Sequence, residues 1–475
     1  MHTSSSSARD VREPTDSQPP GVVELREDVP LKASRLGVGG AARCGGGPRF
    51  ILGCFAALSA AVTIALLTQI YYGDYQVVPH GSVSSSAAAC SRAGTDALKT
   101  GGRAMDAALA AALCLAVVAP HRTSLDASGS LLYWEYRQSR TQGPLLAEWG
   151  GPGPGAGATG AGQGARLAPR TLSALAALHA QLGVLPWPRL LQPAIDLASE
   201  GFPASEGLMT AEAASVPQAA FRRAPELAQY LRALQRNTSA ELAAAWGAGG
   251  LVREGAPLAV SGGGWRAYAG GAGAAGGALA ALAAALQPSA GPDDDSLRVI
   301  SSLQHAAAES NGTWPPSSVA TGLAVVDRLD TYLALVTGLS KPFGSGPPTA
   351  EGWIRDEPSE PLDLAPAIIT EDFVCGSRYV AGAESWSALA QAAAALVRGG
   401  AAGVERARVA LWPGGGGALA AEGAGAGAGA PYAALPPPPY NASPPYAAVN
   451  VVQQRADALL SHADSRGGGL GSRFR

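Results

Sequence analysis

From Phe50 to Tyr72 the chain runs 23 consecutive residues without a charge. At a rise of 1.5 Å per residue, such a run spans a hydrocarbon layer of about 30 Å, so the pattern predicts a transmembrane helix. Beyond it the periodicity becomes that of a folded domain. A helix containing Cys90 to Lys99 is expected to stop at Gly101, and Ala104 to Val118 is apolar on all sides, a helix buried within a core and ended by Pro120. Leu131 to Tyr136 has strand composition, and Thr171 to Leu182 reads as a helix. Two short apolar runs, Gly322 to Asp327 and Tyr332 to Val336, flank the turn-prone Asp330 and predict a β-hairpin. The Gly- and Ala-rich stretches Ala244 to Ala285 and Gly414 to Ala430 read as long surface loops. Gly150 to Gly164 is a low-complexity loop, and Pro436 to Pro439 a stiff extended segment.

Composition narrows the class. Of 475 residues 47% are hydrophobic and 15% charged, which gives ample material for a core and rules out global disorder. A net charge of -3 supplies no broad cationic surface, so a nucleic-acid partner is not expected. Lys32, Arg35, Arg43 and Arg49 precede the apolar span, whereas Asp74 and Arg92 are the charges in the twenty residues after it. The positive-inside rule then predicts a single-pass type II protein: residues 1–49 a cytoplasmic tail, 50–72 a signal anchor, and 73–475 extracellular or lumenal. Three acceptor tripeptides for N-glycosylation, at Asn237, Asn311 and Asn441, all lie beyond the span. Cys44 falls in the tail and Cys54 in the span, and the outer three, Cys90, Cys114 and Cys375, allow one disulfide with one thiol left over.

Local chemical motifs are few. The six histidines are scattered, and no His or Cys pair has metal-ligand spacing, so no metal is expected. The glycines around Gly153 to Gly164 are not followed by Gly-Lys-Ser/Thr, and no Gly-x-Ser-x-Gly elbow occurs.

Longer blocks are more informative. Gly94-Thr95-Asp96-Ala97-Leu98, Gly101-Gly102-Arg103-Ala104-Met105-Asp106 and Pro120-His121 closely resemble the gamma-glutamyltransferase family, also called glutathione hydrolases. Leu185-Pro186-Trp187, Leu191-Gln192-Pro193-Ala194-Ile195 and Ala198 to Pro203 match in the expected order, and Leu323 to Asp327, Phe343-Gly344-Ser345 and Ala365 to Ile369 more weakly. The resemblance implies a four-layer αββα N-terminal-nucleophile hydrolase sandwich, an α/β (α+β) fold. It also implies a proenzyme that cuts itself into a heavy chain ending at about 320 and a light chain starting at about 321, held together as a heterodimer. The freed threonine uses its own α-amine as base and attacks the γ-glutamyl amide of glutathione and its conjugates, with backbone donors holding the oxyanion and no cofactor. The family's bridge falls at Cys90 and Cys114.

The resemblance weakens at the centre of the chemistry. Family members carry Thr, a small residue, His, an apolar residue and Ser at the cleavage point. Anchoring on Leu323 puts Ala320 at the nucleophile, Gly322 at the His and Ala324 at the Ser, with the candidate Thr321 displaced by one. The substrate-binding arginine aligns with Ala147, beside Glu148. The glycine-rich loop becomes Leu125 to Gly129, the serine pair becomes Leu362-Asp363, and the oxyanion glycines fall at Ser385-Trp386, where Glu384 would bring negative charge. Two readings follow: a γ-glutamyl hydrolase or transferase acting through Thr321, or a catalytically degenerate, membrane-anchored binding or assembly subunit.

Overall fold

The computed structural model describes residues 47–72, 80–138, 142–151, 168–212, 220–248, 251–271, 276–287, 292–310, 318–346, 348–373, 375–411, 419–422, 433–435 and 446–474. The chain divides into two compact units, Met1–Tyr75 and Gln76–Arg475. The first contains the helix Gly47–Tyr72, whose described apolar side chains are exposed along its length; among the described residues it is the one helix long and apolar enough to cross a membrane.

The second unit is built on two antiparallel sheets. One sheet runs in the order Ser472–Phe474, Gly81–Ser85, Val319–Val326, Thr331–Leu339, Ser128–Glu135, Leu145–Trp149, Arg253–Gly255. The other runs Ala458–His462, Val449–Arg455, Arg378–Ala383, Ala365–Glu371, Trp265–Ala269, Leu258–Gly262. Side chains alternate across each strand, so the central Val319–Val326 strand serves two cores. Leu323 and Val325 pack beneath the helices Ala88–Lys99 and Ala104–Val118, while Ala324 and Val326 meet Ile368, Val380 and Val452 of the opposite sheet. Helices Gly276–Ala285, Pro292–Glu309 and Trp386–Gly399 cover the far side of the second sheet. The layers are therefore helix, sheet, sheet, helix, as the resemblance implied.

The predicted hairpin is present, with its turn fixed by Asp330 at φ 57° and by Asp327, whose carboxylate accepts from the N–H groups of Leu329 and Thr331. The same carboxylate accepts from Ala104 N at 3.0 Å, which pins the hairpin to the first turn of the buried helix. Ala104–Val118 has the predicted bounds and is buried almost throughout; truncating a fully enclosed member such as Leu109 to Ala is expected to cost about 2–5 kcal/mol. Cys90 and Cys114 are bonded, with Cα atoms 5.2 Å apart, and staple the first two helices of this layer. Cys375 is an exposed free thiol.

The reading of Ala244 to Ala285 as a surface loop is corrected. That stretch holds three strands and the helix Gly276–Ala285. Its glycines and alanines permit close approach: a Cβ at Gly277 would stand 2.3 Å from the Cβ of Ala306 on the neighbouring helix. Gly414 to Ala430 likewise contains the strand Leu419–Glu422. The low-complexity run from residue 152, the four prolines, Asn311 and Asn441 lie outside the described residues.

Candidate active site

The Val319–Val326 strand begins where the resemblance puts the cleavage point. Ala320 lies on the face turned toward the second sheet and packs with Val336, Leu362 and Leu364 in a small apolar cluster. Gly322 shares that face, and the two sheets touch there: a Cβ at Gly322 would stand 2.4 Å from the carbonyl oxygen of Gly382. Asn450 seals the contact by donating from Nδ2 to the Gly322 carbonyl and to Ser86 Oγ, each at 2.8 Å.

Thr321 stands on the other face. It is opposite Thr337, whose hydroxyl is 2.8 Å from that of Thr123, and it is 1% exposed. Its Oγ1 has no hydrogen-bond partner among the described residues. A one-residue displacement along a strand reverses the direction of a side chain, so Thr321 and the positions aligned to the family's Thr, His and Ser point into different layers.

The other aligned positions are also changed. Ala147 is fully buried in the helix-side core; Glu148 accepts from Ser130 Oγ at 3.4 Å. Asp363 Oδ1 accepts from the backbone N–H of Trp386 at 2.9 Å, so an internal carboxylate occupies a donor aligned with an oxyanion glycine. Burial raises the Asp363 pKa to about 7 against the opposing effect of that hydrogen bond. Ser385 Oγ accepts from Ala388 N and caps the helix Trp386–Gly399.

Glu384 corrects one expectation. Its carboxylate does not stand as a bare negative charge, because Arg122 donates to it at 2.7 Å, Ala448 N donates at 2.9 Å, and the pair is buried. Burial still raises the carboxyl pKa, with Arg122 pulling the other way. Sequence reasoning missed this pair, although an arginine directly after Pro120-His121 was a usable signal. Asp106, the acid of the strongest resembling block, is a structural hub. It accepts from Arg103 N at 2.8 Å, from Val184 N and Leu185 N at 3.1 Å, and pairs with His179 Nε2 at 3.0 Å. Burial opposes its ionisation, but His179 and these N–H groups hold its pKa below the usual carboxylate value. The loop Leu125 to Gly129 is likewise fixed, with Asp126 accepting from Arg170 Nε at 3.0 Å and Thr171 Oγ1 donating to the Ala127 carbonyl at 2.7 Å.

Known proteins share both the segment and the sandwich. Residues 90–149 and 152–243 match the family model for gamma-glutamyltranspeptidase. Through these residues the chain is related to the gamma-glutamyltranspeptidases. Glutathione hydrolase 6 of Mus musculus is 31% identical over 305 residues, 57% of this chain and 56% of the relative. Glutathione hydrolase 7 of Bos taurus is 33% identical over 180 residues, 35% of this chain and 26% of the relative. The chain thus spans about half the length of glutathione hydrolase 6 and less of glutathione hydrolase 7. Among solved structures, cephalosporin acylase from Bacillus halodurans superposes with a TM-score of 0.63 at 16% identity, covering 83% of this chain and 96% of that one. LmbA2991HD gives 0.64 at 16%, covering 84% and 98%. The chain shares the fold of these two solved structures.

Proposed function

We propose that this chain is a membrane-anchored gamma-glutamyltransferase relative that has lost γ-glutamyl chemistry and serves as a binding or assembly subunit. The observation that carries the reading is the face of the central strand: Ala320, Gly322 and Ala324 occupy it, and the candidate nucleophile Thr321 is buried on the opposite side. An N-terminal nucleophile needs its hydroxyl beside its own amine and within reach of an amide carbonyl. The apolar contacts of Ala320 and the carboxylate of Asp363 on the Trp386 N–H give substrate no counterpart to either requirement.

We further propose the type II orientation, with residues 1–49 cytosolic and 73–475 in an extracytoplasmic, oxidising compartment. The basic flank and the Cys90 to Cys114 bond support it.

The second reading is hydrolysis or transfer of the γ-glutamyl group of glutathione or its conjugates through Thr321, after self-cleavage into heavy and light chains. The names of the relatives favour it, as does the unpartnered Thr321 hydroxyl. One experiment separates the two. The 475-residue chain in detergent is run on a denaturing gel and assayed for amine release from a γ-glutamyl anilide, beside Thr321→Ala. The degenerate reading expects one uncut chain and equal background rates; two fragments meeting near residue 320 and turnover abolished by Thr321→Ala would overturn it.

A further inference from the structure

A cavity of about 410 Å³ opens on the helical side of the first sheet, between the start of helix Ala88–Lys99, the end of helix Ala104–Val118 and the segment Phe202 to Glu206. Its size falls in the range of small-molecule sites, and its walls are mainly apolar, with Val118 and Phe202 among them. Its polar side chains are the cations Arg92 and Arg122, with His121, Ser86, Ser205 and the acid Glu206. The helix Ala88–Lys99 is preceded by Ala87, which has no side-chain group with which to cap it, and the first-turn residues Ala88 and Ala89 line the cavity. Such a helix start offers N–H groups without intrahelical acceptors and a positive dipole end. Arg92, one turn on, adds an exposed guanidinium at the rim.

The second observation is independent of the helix. His121 forms part of the wall, is 5% exposed, and neither ring nitrogen has a hydrogen-bond partner among the described residues. Leaving a buried polar side chain unpaired costs free energy that a ligand would recover. Burial, and then the neighbouring Arg122 charge, lower its pKa to about 3, so the ring is neutral and presents one donor and one acceptor. Of the acids nearby, Glu206 is exposed at the rim and Glu384 is held by Arg122.

We propose that this cavity binds a small organic anion, a carboxylate on an apolar body, with the carboxylate toward Arg92 and the open start of the helix, and a polar group of the ligand against His121. Apolar walls with donors gathered at one end fit this class better than a fully charged or fully apolar ligand. The proposal stands whether or not the chain turns over γ-glutamyl compounds, since no residue of the Val319–Val326 strand lines the cavity.

The test uses the full chain in lipid nanodiscs and saturation-transfer NMR with phenylacetate as probe, 4-hydroxyphenylacetate as the probe that adds a polar group for His121, phenylethanol as the neutral counterpart and empty nanodiscs as background. Saturable phenylacetate binding is expected, with phenylethanol weaker. Arg92→Gln should weaken phenylacetate about two- to fivefold, the upper part of the range of an exposed ion pair. Ala204→Trp should block the cavity from its half-buried wall, and His121→Phe should remove the tighter binding of 4-hydroxyphenylacetate over phenylacetate; an advantage that survives His121→Phe overturns the role of His121. A thermal melt of each variant shows that it is folded; should His121→Phe fail to fold, the two rim variants carry the decision. Absence of saturable binding, equal binding of phenylethanol, or binding indifferent to either rim variant overturns the proposal.

Discussion

Replacing Gly322 by the family's histidine, or even by alanine, tests whether the sandwich has closed over the place where catalytic side chains would stand. A Cβ there would meet the carbonyl oxygen of Gly382 at 2.4 Å, its carbonyl carbon at 2.5 Å and its Cα at 2.9 Å. These are backbone atoms of a central strand in the opposite sheet, so no side-chain rotation relieves the clash. The oxygen is roughly 1 Å inside ordinary contact, and the strands must separate by about that much. Separation disturbs Ala324, Val380 and Val452 around it and the Asn450 hydrogen bond to the Gly322 carbonyl. Overpacking of this kind costs about 3 kcal/mol, at the upper end for insertion into a packed core, and histidine adds the burial of a polar ring.

The measurement is denaturant unfolding of the full chain in detergent, followed by tryptophan fluorescence, for wild type, Gly322→Ala, Gly322→His and Gly346→Ala. Gly346 is the control because its Cβ would meet one ordinary contact, at 3.4 Å from Arg355. Gly322→Ala should lower the midpoint clearly while Gly346→Ala leaves it within a few tenths of a kcal/mol. If Gly322→Ala proves as stable as the control, the sheets are not in contact at this point and the closure argument fails.

Asp363→Asn should flatten the pH dependence of stability. The folded carboxyl titrates near 7 against an ordinary value of 3.8, so the folded state holds more protons between those values; wild-type stability falls as pH rises from about 4 to about 7, and the Asn variant loses that slope in denaturation midpoints taken at both ends. Reduction of the Cys90 to Cys114 bond, at a sequence separation of 24, should cost about 3 kcal/mol, and non-reducing peptide mapping should find the pair joined and Cys375 free. Asn237 is exposed ahead of a helix capped by Thr238, so amide-cleaving glycosidase should increase gel mobility, and Asn237→Gln should remove part of that shift. In sealed vesicles, protease added from the cytosolic side should remove the tail and leave the rest intact; loss of the bulk of the chain would refute the proposed orientation.

Much of the fold was legible because its signals are local. The uncharged run, the all-apolar Ala104–Val118 helix and the Asp330 turn each carry their own periodicity or turn chemistry. The strands and helix within Ala244 to Ala285 were not legible, because Gly and Ala give no apolar rhythm; what selects their structure is close packing against distant helices, as at Gly277 and Ala306. The site was half legible. Alignment could show that Thr321 was one residue out of step, but only the strand's place between two cores turns one residue into the opposite layer. The Arg122 to Glu384 and Asp363 to Trp386 contacts join positions 262 and 23 residues apart, and no local pattern announces them.

The residues that carry the resemblance and those that have departed from it lie in different physical roles. Asp106 gathers three backbone N–H groups and His179, Asp327 ties a hairpin to a helix, and Cys90 and Cys114 staple the same layer. Losing any of them leaves buried donors unpaired or releases a covalent constraint, at about 1–3 kcal/mol for each stranded group, so the fold itself holds them in place. Positions facing the gap between the sheets carry no such debt once no substrate must fit there. Alanine at 320, glycine at 322, leucine at 362 and aspartate at 363 are compatible with a closely packed interface, and Glu384 is satisfied by Arg122. Retention of the sandwich therefore says nothing about retention of the chemistry, and reinstating a threonine at 320 alone would leave the histidine position blocked by Gly382 and the Trp386 N–H still bound to Asp363.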